Sequence, residues 1–101
     1  MILTASGDCP GVITFDVEGA TRGGLIGFVY GLSAGSTPVR ACPGLHVDIA
    51  NAELGGTALA DYIGEASLSV PIHAAACDLE IIVQAVDIDG CLKSNVVWLW
   101  D

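Results

Sequence analysis

The sequence predicts an all-β domain: an antiparallel, disulfide-stapled β-sandwich of immunoglobulin-like type, with Greek-key connections and seven to eight strands. Short runs alternate between apolar and polar side chains, as half-buried strands do. Gly, Asp, Asn and Pro separate these runs at intervals, which is typical of an all-β domain. No run carries the 3.6-residue apolar stripe of a helix. A small jelly-roll or partly closed barrel is the alternative.

The first half of the chain shows the clearest alternation. Strands are expected at Ile2–Ala5, Gly11–Glu18 and Leu25–Leu32, with glycine-rich turns between them. Every second residue of Gly11–Glu18 is apolar, so one face of that strand is expected in the core. Ser33–Pro43 has the composition of a loop, with room for one short strand at Thr37–Arg40.

The middle of the chain continues the pattern less evenly. Leu45–Ile49 and Glu65–Ile72 alternate regularly and predict two more strands. Pro71 places the second of these at an edge or at a strand end, because proline cannot donate to a sheet ladder. Thr57–Ile63 is compatible with either a strand or irregular structure.

The closing segment, Cys77 to Trp100, is the stretch around which the rest of the chain is organised. Two β-rich runs, Leu79–Val86 and Asn95–Trp100, flank the turn-like sequence Asp87-Ile88-Asp89-Gly90. Ile, Val and Trp suit a pleated sheet, whereas Asp, Gly and Asn favour turns. The segment therefore predicts a β-hairpin that closes a single domain spanning residues 1–101.

Four cysteines in a chain of 101 residues predict two disulfides and an oxidising compartment. Their spacing contains no C-x-x-C pair, which disfavours zinc. Cys9 and Cys77 begin strands that run parallel in the facing sheets of an immunoglobulin-like sandwich, so we expect Cys9–Cys77 and Cys42–Cys91. A Cys77–Cys91 bond would have to span a strand of roughly 26 Å, against the Cα separation of about 4.4–6.8 Å that a disulfide tolerates.

The composition excludes several classes of partner. Twelve acidic and three basic residues give a net charge of −9, so phosphate contacts to nucleic acid or to an anionic membrane are not expected. No apolar run is long enough to span a membrane. The start has neither the basic region nor the apolar run of a signal peptide. We expect a secreted domain, cut from a longer exported protein and given a new methionine.

The sequences around the cysteines resemble a module of other proteins. The residues that carry the resemblance are Ser6-Gly7-Asp8-Cys9-Pro10-Gly11, Cys42-Pro43-Gly44, Ala75-Ala76-Cys77 and Cys91-x-x-Ser94-Asn95-Val96-Val97. They resemble an Ig-like β-sandwich module of large secreted bacterial multidomain proteins, of planctomycete and myxobacterial type, over most of the chain. The resemblance implies a structural or adhesive module, repeated along a surface protein, without catalytic residues. It also implies a polar residue where Trp98 stands, so the tryptophans here are a departure.

Residues that could carry catalysis are sparse. His46 and His73 are the only histidines, and no nucleophile motif such as G-x-S-x-G accompanies them. We expect both at the surface and no enzymatic activity.

One turn has the beginning of a calcium-binding pattern. Asp87 and Asp89 stand at alternate positions of the predicted turn, as the first ligands of a calcium loop do. Cys91-Leu92-Lys93 follows where further oxygen ligands should stand, so an acidic hairpin turn is the favoured interpretation. No metal and no cofactor is expected.

The outer face of the closing hairpin supplies the functional hypothesis. If Val83 and Ala85 face the core, the residues alternating with them face outward and are mostly apolar. The predicted interface consists of Ile82, Val86, Val96, Trp98 and Trp100. Such a patch exceeds what a monomer normally exposes, which predicts a homo-oligomer or a contact with neighbouring domains. A register slip of one residue would instead bury both tryptophans and expose Val97 and Leu99.

Two further functions stay open. The first is a carbohydrate-binding module that stacks a glycan on Trp98, Trp100 and either Tyr30 or Tyr62. The second is an engineered assembly built on a natural sandwich, because tryptophans at positions where polar residues are expected would also arise by design.

Overall fold

The computed structural model describes residues 1–100, and within them the chain is all-β, with antiparallel sheets, two disulfides and a single turn of 3₁₀ helix. Ten strands are present instead of the expected seven to eight. They are β1 (Ile2–Gly7), β2 (Gly11–Glu18), β3 (Leu25–Gly31), β4 (Ala34–Pro38), β5 (His46–Ile49), β6 (Glu53–Leu59), β7 (Ala66–Ile72), β8 (Ile82–Asp87), β9 (Leu92–Lys93) and β10 (Val97–Trp98); the 3₁₀ turn is Ala74–Asp78.

The strands form two larger sheets and one separate hairpin. The first sheet has the order β1-β2-β7, and the second has the order β10-β8-β3-β6, with β9 also paired to β8. Strands β4 and β5 pair only with each other. All pairs are antiparallel. No closed barrel is formed by the described residues.

The main core lies between the two larger sheets, where the alternation of the sequence placed it. Its buried members come from both sheets: Leu3, Ile13, Phe15, Val17, Ile26, Phe28, Ala60, Ala66, Val83, Ala85 and Leu99. The rings of Phe15 and Phe28 meet across it with their centroids 6.2 Å apart. The expected inward face of β2 is therefore confirmed.

A second core lies on the other face of the second sheet, where the sequence predicted solvent. Val47 and Ile49 of β5 pack there against Ile82 and Val86 of β8, and all four side chains are buried. The hairpin β4–β5 thus covers the face that was expected to be exposed. Because both faces of β8 are covered, every residue of Ile82–Asp87 is buried. Strands covered on both faces are usually apolar along nearly their whole length.

A buried glutamine joins the hairpin β4–β5 to the second sheet. The Gln84 side chain accepts a hydrogen bond from the Asp48 N–H (2.8 Å). It donates to the Asp48 carboxylate (3.0 Å) and to the Ser94 carbonyl (2.6 Å). At the edge of this network the Lys93 ammonium lies 2.9 Å from the Asp48 carboxylate. Each polar atom of Gln84 therefore has a partner, which a fully buried amide requires.

The disulfides join Cys9 to Cys77 and Cys42 to Cys91, with Cα separations of 5.7 and 5.5 Å. These are the pairs expected from the strand assignment. The first connects the start of β2 to the 3₁₀ turn before β8. The second ties the connection between β4 and β5 to the turn after β8, so it is a second link, besides Gln84, between the hairpin and the second sheet.

The predicted strand Asn95–Trp100 is mostly irregular, and side chains explain why. The Ser94 hydroxyl accepts the Ala85 N–H at 2.9 Å and donates to the Asn95 carbonyl at 2.8 Å, which diverts the chain between β9 and β10. The other boundary errors lie nearby or in turns. Thr57–Ile63 divides into the end of β6 and a turn, and the 3₁₀ turn at Ala74–Asp78 was not expected.

Candidate functional site

One long side of the sandwich is closed by a side chain. The edge of β1 would be free, but Asn95 pairs with the backbone of Leu3 there. Its amide oxygen accepts the Leu3 N–H at 2.8 Å, and its amide nitrogen donates to the Leu3 carbonyl at 3.0 Å. Asn95 therefore connects the first sheet to the connection between β9 and β10 and occupies the edge of β1.

The opposite side, between β6 and β7, stays open and contains an apolar cleft of about 440 Å³. Both sheets, Leu32 and the segment after the 3₁₀ turn line it. The lining residues are Phe15, Phe28, Val29, Tyr30, Leu32, Leu54, Gly55, Leu68, Val70, Ile72, Ala76, Leu79, Ile81, Val83 and Leu99. Several of them belong to the main core, so the cleft is a place where that core reaches the surface.

Two glycines of β6 shape the mouth of the cleft. A Cβ on Gly56 would lie 2.8 Å from Leu68 Cδ2, and one on Gly55 would lie 3.2 Å from the Tyr30 ring. The pair therefore lets β6 approach the side chains of β7 and β3 closely. Leu79 is 47% exposed at the opening, whereas the Leu54 side chain turns to the other face of the second sheet, where its Cδ1 would lie 3.5 Å from a Cβ on Gly27.

The charged residues next to the lining are acidic. Glu53 precedes Leu54, while Asp78 and Glu80 flank Leu79, and all three acids are exposed. The Tyr30 hydroxyl donates to Glu53 at 3.0 Å, and this hydrogen bond, with the nearby negative charge, raises the pKa of Tyr30. None of the three basic residues lines the cleft, so its rim is negative.

A larger, more open depression of about 550 Å³ lies on the outer face of the first sheet. Asp16, Glu18, Asp61 and Glu65 contribute to its lining. Within residues 1–100, however, no group of three or more His, Cys, Asp or Glu side chains is placed to hold a metal ion. The depression is a solvated acidic surface, and the cleft is the better candidate for a site.

The interface predicted from the sequence does not exist as a continuous surface. Ile82 and Val86 are buried in the second core, and Val96 packs against it. Trp100 packs against the main core, and its indole N–H donates to the Ala76 carbonyl at 3.2 Å. Trp98 alone keeps the predicted orientation, with 36% of its surface exposed. The prediction failed because the hairpin β4–β5, which the sequence did not indicate as a paired unit, covers this face.

The aromatic residues proposed for glycan stacking are also dispersed. Trp98 pairs with Ile82, whereas Tyr30 pairs with Val83, so the two rings lie on opposite faces of the second sheet. Tyr62 lies in the turn between β6 and β7. These rings therefore do not form one platform.

The carboxylates of the predicted acidic turn bind backbone amides. Asp87 is fully buried and accepts hydrogen bonds from the N–H groups of Thr21 (2.7 Å) and Gly90 (3.0 Å), while Asp89 accepts the Leu25 N–H (2.7 Å). Burial by itself would raise the pKa of Asp87, but hydrogen bonds from Thr21, Gly90 and Asp89 outweigh it and lower that pKa. Both aspartates thus stabilise the turn between β2 and β3.

The two histidines stand apart. His46 is exposed on β5, and its carbonyl accepts a hydrogen bond from Lys93. His73 is exposed before the 3₁₀ turn. The structure does not bring either imidazole into hydrogen-bond contact with another side chain of the described residues.

Sequence reasoning did not find the cleft, because each of its walls is an ordinary strand. Its signals are the exposed Leu54 beside Gly55-Gly56 and the run Asp78-Leu79-Glu80, in which a leucine stands between two acids. Neither indicates a cleft until the sheets are packed. No helix within residues 1–100 is long and apolar enough to cross a membrane.

Comparison with known proteins yields no match: no family model, no curated protein and no solved structure is similar to this chain.

Proposed function

We propose that the chain is a non-catalytic interaction module of an exported protein, and that the cleft between β6 and β7 is its binding surface. Two disulfides in a small acidic domain support an oxidising, extracellular setting. The strand orders β1-β2-β7 and β10-β8-β3-β6 support an immunoglobulin-like arrangement with β4–β5 as an added hairpin. The resemblance to modules of large secreted bacterial proteins agrees with such a role.

The open cleft is the observation that carries the proposal. Leu79 is 47% exposed at its mouth, and exposed apolar concavities mark binding sites more often than isolated exposed leucines do. On the other long side of the sandwich, Asn95 caps the edge of β1 at Leu3.

The lining also supports a binding role over a catalytic one. Tyr30 supplies the only titratable side chain among the lining residues, and hydrogen bonding to Glu53 raises its pKa, which disfavours the phenolate that a general base would need. A site of this composition can hold apolar side chains and has no nucleophile to offer.

A neutral fluorescent probe tests the cleft directly. We expect Nile red to bind saturably, and Leu79→Gln to weaken that binding by about fivefold or more, because an amide at the mouth must be desolvated by the bound probe. Leu92→Gln is the matched control: Leu92 is 47% exposed, as Leu79 is, but lies on β9 outside the cleft. Equal effects of the two substitutions, or no saturable binding, would reject the cleft as a site.

Self-association is the second candidate, and Trp98 favours it. Its indole is partly exposed on edge strand β10. Because a net charge of −9 on each copy opposes contact and salt screens that repulsion, any oligomer should grow with salt.

Light scattering checks this candidate. We expect the mass to rise above that of a monomer with concentration, and Trp98→Thr to restore the monomer at unchanged stability. Trp100→Thr should instead lower the free energy of unfolding by about 2–3 kcal/mol, because Trp100 packs against the main core. A wild-type chain that stays monomeric at all salt concentrations would remove self-association.

A further inference from the structure

Strand β6 forms a free edge of the second sheet beside the cleft. The edge of β1 is occupied by Asn95, and β7 ends near Pro71. The other edge of the second sheet is divided between β9 and β10, which have two residues each. Strand β6 has seven residues without proline or lysine. Proteins usually blunt exposed edges with such residues or with very short strands.

The backbone of β6 offers hydrogen-bonding groups on this edge. The Ala60 N–H donates to the Gly24 carbonyl at 2.9 Å, which is the β3 side of the strand. Because backbone groups alternate between the two sides of a strand, those of Ala58 and Gly56 also face β3, and those of Thr57 and Leu59 face away. A bulge interrupts the ladder between Phe28 and Val29, and Gly56–Leu59 is regular beyond it.

From this edge and this cleft we propose that the domain binds an extended segment of another protein by strand addition to β6. The inference rests on the proposed function of the cleft and names its occupant. The segment pairs with the backbone of Thr57 and Leu59 and continues along β6 to Gly55 and Leu54, which border the cleft, so that its apolar side chains at that end enter the cleft. Strand addition takes its affinity from backbone hydrogen bonds and its specificity from pockets for alternate residues.

The charge of the molecule selects the kind of segment. Glu53, Asp78 and Glu80 stand beside the lining residues, and the chain carries −9 overall. A second copy of this domain would bring the same negative charge to the contact. A segment with Lys or Arg at both ends of its apolar positions is complementary instead, and its association rate should fall with salt.

Synthetic peptides test the proposal with the wild-type domain. The probe is the capped peptide Lys-Val-Thr-Val-Thr-Val-Lys, titrated while amide chemical shifts are followed by NMR. We expect shifts at Thr57, Leu59 and Leu54, and about tenfold weaker binding by the charge-reversed peptide with Glu at both ends. Methylating the three valine nitrogens or the two threonine nitrogens removes the donors of one edge of the peptide at a time. One methylated peptide should lose about tenfold or more in affinity, and the other should keep it.

A variant of the domain provides the reciprocal test. Thr57→Pro removes the outward N–H and keeps the ladder to β3, as proline on an edge strand can, so it should also weaken binding about tenfold. Thr57→Val keeps the N–H and should bind as the wild type does. Nile red binding, which needs only the cleft, should survive in both variants.

The outcomes separate the two proposals. If the two methylated peptides bind equally well or equally badly, or if Thr57→Pro and Thr57→Val behave alike, strand addition is wrong while the cleft stands. If neither peptide nor Nile red binds, the proposed function fails with it. If the peptide acts only by dissociating a dimer seen in light scattering, the occupant is a second copy of the chain.

Discussion

Replacing Asp87 with alanine is expected to lower the free energy of unfolding by about 3 kcal/mol or more at neutral pH. The carboxylate is fully buried and accepts the N–H groups of Thr21 and Gly90. Removing it leaves these two donors, whose hydrogen bonds are part-buried, without a protein acceptor, and each such unsatisfied group costs about 1–3 kcal/mol. Urea denaturation measures the loss.

Asp89→Ala is the control for this prediction. Asp89 stands two residues away in the same turn, is exposed, and accepts one N–H, that of Leu25. Water can replace that acceptor, so we expect a loss of about 1 kcal/mol or less. If the two alanine variants lose the same stability, the burial of Asp87 does not decide its contribution.

The stability difference between the wild type and Asp87→Ala should depend on pH, because the pKa of Asp87 is lowered in the folded chain. A carboxyl whose pKa is lower in the folded than in the unfolded chain adds stability above its unfolded value of about 3.9. That stability disappears as the pH falls through the folded pKa. The difference in stability between wild type and Asp87→Ala should therefore be full at pH 7 and shrink as the pH falls below about 4. A difference that stays constant to acid pH would contradict this assignment.

Alternation predicted the inward face of β2 well because the other face of that strand is largely exposed. Ile13, Phe15 and Val17 were expected to point inward, and all three are buried. The cysteine pairs followed from the same strand directions, since a disulfide needs both strand ends at one end of the sandwich.

The second core could not be predicted in this way. The alternation of β5 predicted a strand facing the only core considered, and the region of β4 was predicted as a loop with room for a short strand at Thr37–Arg40. In the structure these strands pair with each other and place Val47 and Ile49 on Ile82 and Val86. An apolar outer face on β8 has two physical explanations, an interface or an intramolecular cover. The sequence contained a clue to the intramolecular cover. Glu80 and Gln84 are the only polar residues of Leu79–Val86, and such a nearly continuous apolar run is typical of a strand buried on both faces.

The candidate site could not be predicted from the sequence. Its walls are inward faces of strands that were correctly predicted, but its existence depends on which edges are left open. Asn95 caps the edge of β1 through hydrogen bonds to Leu3, a residue 92 positions away, and no local sequence pattern predicts such a contact. Side-chain capping of an edge is visible only once the sheets are packed.

Removing the disulfide Cys42–Cys91, with both cysteines changed to alanine, is expected to lower the free energy of unfolding and to loosen the hairpin β4–β5 selectively. A crosslink between residues 49 positions apart stabilises a domain by about 4 kcal/mol in the chain-entropy account. The bond Cys9–Cys77, with a separation of 68, should contribute a similar amount. The two double variants should therefore show comparable losses in global stability and form a matched pair.

They should differ in what opens locally. Strands β4 and β5 pair only with each other, and an isolated two-stranded hairpin is marginally stable. Without Cys42–Cys91, the hairpin is no longer crosslinked to the second sheet and is held by its packing on Ile82 and Val86 and its contacts to Gln84. Amide hydrogen exchange should therefore speed up at Asp48, which donates to Gln84, well before it does at Phe15 in β2. In the variant without Cys9–Cys77, the Asp48 amide should exchange no sooner than the core amides.

Local opening of the hairpin also has a consequence for association. It exposes Ile82 and Val86 beside Val96 and Trp98, which is most of the apolar patch that the sequence placed on the surface. The variant without Cys42–Cys91 should then self-associate, with a mass in light scattering that rises steeply with concentration, because large exposed apolar patches favour association. The variant without Cys9–Cys77 leaves the hairpin latched and should stay closer to the wild-type mass. Two outcomes would contradict this account: both variants associate alike, or the Asp48 amide exchanges only on global unfolding. Either would show that the hairpin unfolds together with the rest of the domain and does not open separately when the disulfide is removed.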